Sequence, residues 1–252
     1  VRLDKPGRGD SEGGPCPEVS FARELEAFAA GLDETAKVAE VSPGMVILFG
    51  HGLGGMMAPY LAADRELAGI VAVGTTYGDW REFELKNLER RNTLSGMAPV
   101  ENSKQQAVYR ECQENLYGKG RKLEDLVRNN PNLEAQFFTD LPYLYAGKVD
   151  SYFREVEALD TDVAWAQVTA PVLVLWGETD FVSDPQEHQA LADAINTHQR
   201  TVATYKTIPR TDHWFKRASD MQTSLSSSGI LGGVVQPEVV SVVTAWFVRG
   251  GQ

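Results

Sequence analysis

Apolar positions along this chain fall into two rhythms. Met45 to Phe49, Gly69 to Gly74 and Pro171 to Gly177 are short continuous apolar runs bounded by turn residues, the pattern of strands buried on both faces of a parallel sheet. Val1-Arg2-Leu3 reads as the end of another strand, followed by a dense turn segment from Asp4 to Gly14. Between the runs the period changes. Phe21, Leu25, Phe28, Ala29 and Leu32 recur at helical spacing, with Arg23, Glu24 and Glu26 opposite and Ser20 as N-cap; this predicts a helix packed on the sheet. Leu53, Met57, Tyr60 and Leu61 predict a second helix, with Pro59 near its first turns. The alternation β-α-β-α-β implies a parallel sheet with right-handed crossovers. Further on, Thr201 to Ile208 alternates, as a strand nearer the sheet edge does. Pro237 opens a last helix with a stripe of Val239, Val240, Val243, Trp246 and Phe247.

From Asp79 to about Val163 no strand-like run occurs. Helical stretches are expected at Trp80 to Leu94, Ser103 to Tyr117, Lys122 to Val127 and Tyr152 to Leu159. Ser95-Gly96, Gly118-Lys119-Gly120 and Asn129-Asn130-Pro131 break them. Aromatic residues concentrate here, among them Trp80, Phe83, Tyr109, Tyr117, Phe137, Phe138, Tyr143, Tyr145, Tyr152 and Phe153. The expected division is an α/β core over 1–78 and 167–252, with a helical cap over 79–166 whose inner face shapes a substrate pocket.

Composition narrows the function classes. The chain has 252 residues, 42% hydrophobic and 23% charged, with a net charge of −11. That charge argues against nucleic acid and anionic membrane surfaces, which bind a basic footprint. Two cysteines, Cys16 and Cys112, with no C-x-x-C or Cys/His cluster, argue against a disulfide framework or a structural zinc. No apolar run approaches the ~20 residues of a membrane span, and no leader peptide is visible. A cytoplasmic protein acting on a small molecule, without metal or other cofactor, is expected.

The candidate chemistry begins at Gly50-His51-Gly52-Leu53-Gly54-Gly55, directly after a buried run. Its glycine spacing is that of a nucleophile elbow, which lifts one side chain above a strand end. The residue at the elbow's centre is Gly52, which has none. Asp180 lies in the loop after the Pro171 run. Asp184, four residues on, is occupied capping the helix that Pro185 opens, which leaves Asp180 free for chemistry. Of the four histidines, His51 belongs to the elbow strand end and reads as structural, and His188 and His198 read as solvated. His213 alone lies in a post-strand loop after an acid-bearing strand. The order Gly52, Asp180, His213 is the order nucleophile, acid, histidine, in which the imidazole takes the nucleophile's proton and the carboxylate holds the other ring nitrogen. The Leu53 backbone N–H is the candidate oxyanion donor. Trp214, Trp80 and His51 are candidates for substrate contact.

These motifs carry a resemblance. Asp4-Lys5-Pro6-Gly7-Arg8-Gly9-Asp10-Ser11 resembles the D-x-x-G-x-G-x-S loop of α/β-hydrolase fold enzymes. Gly50 to Gly55 resembles their G-H-S-x-G-G elbow, and Gly177-Glu178-Thr179-Asp180 and Asp212-His213 their acid and histidine loops. The resemblance is to the capped esterase, lipase and serine-peptidase branch and spans nearly the whole chain. It implies a mostly parallel sheet flanked by helices and acyl transfer through a seryl ester. Two departures stand out. Serine is implied where Gly52 stands, and loss of such a nucleophile lowers the rate by about 10⁶. The family's strand order also places a further strand before Val1, between the first strand here and the elbow strand, together with a loop bearing one oxyanion N–H. The expected function is therefore that of a serine-hydrolase relative for carboxylic esters or amides, its nucleophile replaced by engineering. The alternative is a natural non-catalytic relative that binds a small ligand or a protein partner. A water attacking directly, with His213 as general base, is a third possibility.

Overall fold

A computed structural model describes residues 3–131, 133, 150–198, 200–228 and 235–250. The chain forms two compact units. One comprises Val1–Thr35, Trp80–Leu85 and Ala98–Leu159, the other Ala36–Asp79, Lys86–Met97 and Asp160–Gln252.

The second unit holds the sheet. Strands β1 (Ile47–His51), β2 (Gly69–Val73), β3 (Val172–Gly177) and β4 (Ala203–Ile208) lie in the order β1-β2-β3-β4. All three pairings are parallel, with Phe49 beside Val71, Ala72 beside Val174 and Leu173 beside Thr204. The apolar runs of β2 and β3 are buried along their whole length, as the two central strands of a covered sheet must be. Successive side chains point to opposite faces, and each face carries its own core. Ile70, Ala72, Val172 and Val174 pack with Ala58 and Ala62 of helix α2 (Leu53–Ala62) and with Leu191, Ala192 and Ile195 of the helix Pro185–His198. Val71, Val73, Leu173 and Leu175 pack with Ile208 and with Val239 and Trp246 of the last helix, Pro237–Val248.

The first unit is helical. Helix α1 (Phe21–Thr35) starts where Ser20 Oγ accepts the Arg23 N–H at 3.1 Å. Its buried Phe21 packs edge-on against Tyr152, with ring centroids 5.6 Å apart. Its fully buried Glu24 takes Lys5 Nζ at 2.7 Å and the Tyr152 hydroxyl at 2.6 Å. Within this unit its buried face meets the helix that carries Tyr152. Helix α3 (Trp80–Leu94) gives residues 80–85 to this unit and 86–94 to the sheet unit. Helices α4 (Pro99–Gln113), α5 (Leu123–Asn129) and α6 (Asp150–Glu157) follow, with a π-helical turn at Glu114–Gly118 after α4. Helix α7 (Thr161–Trp165), which the sequence pattern missed, precedes β3. Helices α8 (Pro185–His198), α9 (Met221–Ser226) and α10 (Pro237–Val248) complete the chain, α9 again unforeseen.

Other expectations meet mixed outcomes. Helix α3 has the expected bounds, and the expected breaks at Gly96 and Gly120 carry positive φ. In α10, Val240 is 65% exposed, and Val242 joins Val239, Val243 and Trp246 on the buried side. Positions i, i+3, i+4 and i+7 share one face of a helix, and Val240 is off that face. Strand β1 is hydrogen-bonded to β2 on one side only among the described residues, and Phe49 is half exposed. Leu3 is not in a strand, and Val1 and Arg2 lie outside the described residues, as do Phe137, Phe138, Tyr143 and Tyr145. Both cysteines are buried free thiols.

Candidate active site

Three strand ends converge in the sheet unit. After β1 the chain turns at Gly52, with φ 57° and ψ −122°, and enters α2 at Leu53. Only glycine holds that conformation without steric cost. The turn is tight because its neighbours are small. A Cβ on Gly50 would lie 2.4 Å from the Gly54 carbonyl oxygen, and one on Gly55 2.5 Å from Thr75 Oγ1. Leu53 is the first residue of α2, so its N–H has no intrahelical acceptor.

Asp180 sits in the loop after β3 and is buried. Its Oδ1 accepts the N–H groups of Val182 at 2.7 Å and Ser183 at 3.0 Å, and its Oδ2 accepts the Ser183 hydroxyl. His213 Nδ1 lies 2.9 Å from the same Oδ2. Burial alone would raise the Asp180 pKa. The positive imidazolium form of His213 and the hydrogen bonds from His213 and Ser183 outweigh it and hold the carboxyl at about 2. The carboxylate is therefore ionised at neutral pH and the facing Nδ1 carries the hydrogen, which leaves Nε2 of the neutral ring as an acceptor. Nε2 points at the elbow. Among the described residues other than its chain neighbours His51 and Leu53, a Cβ built on Gly52 would have one neighbour within 4 Å, His213 Nε2 at 4.0 Å. The structure thus brings together Gly52, Asp180 and His213.

The histidine loop is locally ordered. Asp212 Oδ1 accepts the N–H groups of Trp214 at 2.9 Å and Lys216 at 2.7 Å, and Gln236 Nε2 donates to the carbonyls of Pro209 and Arg210. His51 adds a second hold. Its Nε2 lies 2.8 Å from the His213 carbonyl oxygen, so that nitrogen carries the hydrogen, and its ring packs between those of His213 and Phe215. Burial, followed by the charge on His213, pushes the His51 pKa down to about 4, so His51 is neutral at pH 7. Trp214 stands edge-on to His213, with centroids 5.3 Å apart, and is 36% exposed. Trp80 lies in the helical unit, buried against Phe83 and Phe153.

Several supporting residues were not legible as such. Gly74, at φ 55°, ends β2 beneath the acid–histidine pair. A Cβ there would lie 3.1 Å from His213 Nδ1 and 3.3 Å from Asp180 Oδ2. Asn87 and Arg90 of α3 donate to the Phe181 and Val182 carbonyls, Arg90 Nη1 to Phe181 at 2.9 Å, and Arg90 also pairs with Asp184 at 3.2 Å. His188 is the clear correction. It is 1% exposed rather than solvated, accepts the Thr75 N–H at Nε2 (3.0 Å) and donates from Nδ1 to the Asp184 carbonyl (2.7 Å). Its position in sequence held the signal, because His188, Leu191, Ala192 and Ile195 share one helical face. His198 stays partly exposed, 3.6 Å from Asp162. Among the described residues no cluster of His, Cys, Asp and Glu could hold a metal ion, and no helix is long and apolar enough to cross a membrane.

The parallel sheet, the tight turn at positive φ after β1, and the acid and histidine in loops after β3 and β4 define an α/β-hydrolase. Solved structures share that fold. The chain is similar to a thermophilic esterase from Thermogutta terrifontis (20% identity, TM-score 0.52, covering 99% of this chain and 79% of that one). It is also similar to the Pyrococcus furiosus esterase PF2001 (11%, 0.52, 98% and 68%) and to DcsB, solved with its substrate analogue (16%, 0.56, 98% and 79%). Within that class, the model of the family serine aminopeptidase, S33, matches residues 1–209, and the chain belongs to that hydrolase family. No curated protein sequence matches it.

Proposed function

We propose that the site is built for acyl transfer from carboxylic esters or amides, and that Gly52 stands where the nucleophile of that reaction belongs. The observation that carries the reading is the line from the Cβ position of Gly52 to His213 Nε2, 4.0 Å away, with Nδ1 anchored on Asp180. A hydroxyl one bond beyond that Cβ falls within the 2.6–3.2 Å reach of a general base. In this reading His213 takes the hydroxyl proton, Asp180 stabilises the imidazolium, and the Leu53 N–H faces the developing oxyanion. Membership of a serine aminopeptidase family and the fold shared with two esterases agree with it. The seryl-ester route is closed to the chain as it stands, because Gly52 offers no atom to acylate.

Gly52→Ser tests the reading. The variant should hydrolyse p-nitrophenyl esters with a burst of one equivalent as the acyl-enzyme forms. A second reading, ligand binding without turnover, draws on the relaxed glycine at φ 57°. It would be supported by a Gly52→Ser variant that stays folded yet is inert across a series of ester chain lengths.

A further inference from the structure

The acid–histidine pair stands intact beside Gly52. We propose that the chain with Gly52 in place transfers acyl groups from esters directly to a small external oxygen nucleophile, water foremost, with His213 as general base. The proposal rests on the ester-binding reading above and adds an activity that needs no acyl-enzyme.

Three observations carry it. First, the base is poised. His213 Nδ1 is fixed on Asp180 at 2.9 Å, and Nε2 has no hydrogen-bond partner among the described residues. Second, the approach is clear. Apart from Gly52 and its chain neighbours His51 and Leu53, the only heavy atom of the described residues within 4 Å of the Cβ position of Gly52 is Nε2, at 4.0 Å. An unbonded oxygen cannot come as close to the Gly52 Cα as a covalently attached hydroxyl would. It sits instead to one side of the line from the Cβ position to Nε2, within hydrogen-bond range of Nε2. Third, the partner groups stay in place without a side chain at 52. The Leu53 N–H opens α2 regardless, and the His51 Nε2–H on the His213 carbonyl holds the histidine loop at 2.8 Å.

The step balances without any further reactant. The water oxygen bonds to the acyl carbon while its proton passes to His213 Nε2. The tetrahedral oxyanion collapses, the ester C–O bond breaks, and the same proton leaves with the alcohol. The free acid is released and the imidazole is neutral again. An alcohol in place of water gives the new ester by the same sequence. What is lost is the covalent positioning of the nucleophile, so the activity is small.

The experiment compares the parent chain, its His213→Ala and Asp180→Asn variants, and Gly52→Ser, each verified as folded by circular dichroism, on p-nitrophenyl acetate. The parent should turn over at a rate proportional to protein, without a burst and without an acyl mass on the intact chain. It should exceed His213→Ala by at least tenfold, with Asp180→Asn, which keeps the ring and removes the anchoring charge, also reduced. Added methanol should yield methyl acetate in the His213-dependent fraction. Equal rates for the parent and His213→Ala, with Gly52→Ser active, would overturn this proposal and leave the ester reading standing. Inert Gly52→Ser and inert parent together would remove both.

Discussion

At position 52 the backbone lies in a region that side chains enter only under strain. The φ of 57° with ψ −122° belongs to glycine, and residues forced into such regions at functional sites cost about 1–3 kcal/mol each. Gly52→Ser should accordingly lower stability by about that amount while it adds the reactive atom, so its thermal midpoint should fall; a midpoint equal to the parent's would mean that the elbow is not strained. Gly74 makes the opposite demand. There a methyl group meets His213 Nδ1 at 3.1 Å and Asp180 Oδ2 at 3.3 Å, at a φ of 55°. Gly74→Ala in the Gly52→Ser background should reduce kcat/KM by about 100-fold, the effect of displacing reacting groups by roughly 1 Å. Of these two glycines only one was readable. Gly52 sits inside a local motif, whereas Gly74 is defined by a histidine and an aspartate more than a hundred residues away in sequence.

Among the elements, α3 and α8 do work that no motif announces. The acid loop turns its Phe181 and Val182 carbonyls inward, and Asn87 and Arg90 satisfy them from α3. Buried carbonyls left without donors are destabilising by about 1–3 kcal/mol. The double substitution Asn87→Ala with Arg90→Ala, which removes both donors, should therefore lower the unfolding free energy by that order, measured by urea titration. In the Gly52→Ser background it should reduce kcat more than it raises KM, because the displaced group is the acid that orients His213. The strands were legible because a continuous apolar run flanked by glycine and proline has few other uses. Helix α1 was legible as a helix but not in its packing. Its buried face includes a glutamate, satisfied by Lys5 and Tyr152, and a charged residue in a helical pattern ordinarily marks the solvent side. His188 misled in the same way, because Gln186, Glu187 and Gln189 around it look solvated.

Over the whole molecule, the pH dependence of stability has a readable contributor in the helical unit. Glu84 is buried with the Tyr117 hydroxyl at 3.0 Å and Gln113 Nε2 at 2.9 Å on its carboxyl. Burial raises its pKa from 4.5 to about 7 against the lowering effect of those hydrogen bonds. The folded state thus binds this proton more tightly than the unfolded state. The stability it contributes is fully present below about pH 4.5 and is lost as pH rises to about 7. Glu84→Gln, which cannot ionise, should differ little from the parent in melting temperature at pH 4.5 and be the more stable of the two at pH 8. A difference independent of pH would rule out Glu84 as the titrating group. The same scale shows how far sequence carries. The convergence of three loops follows from β-α alternation, because parallel connections place every loop after a strand at one end of the sheet. The grouping of residues 1–35 with the helical segments depends on contacts such as Phe21 with Tyr152, which no local pattern encodes.

The central proposal is that Gly52, Asp180 and His213 form an acyl-transfer site that lacks its nucleophile hydroxyl. Pre-steady-state kinetics of Gly52→Ser with a p-nitrophenyl ester test it most directly. The expected result is a rapid release of p-nitrophenol close to one equivalent per chain, an acyl mass on the protein, and loss of both on adding His213→Ala. A folded Gly52→Ser variant that shows neither burst nor acyl mass across acetyl to octanoyl esters would contradict it.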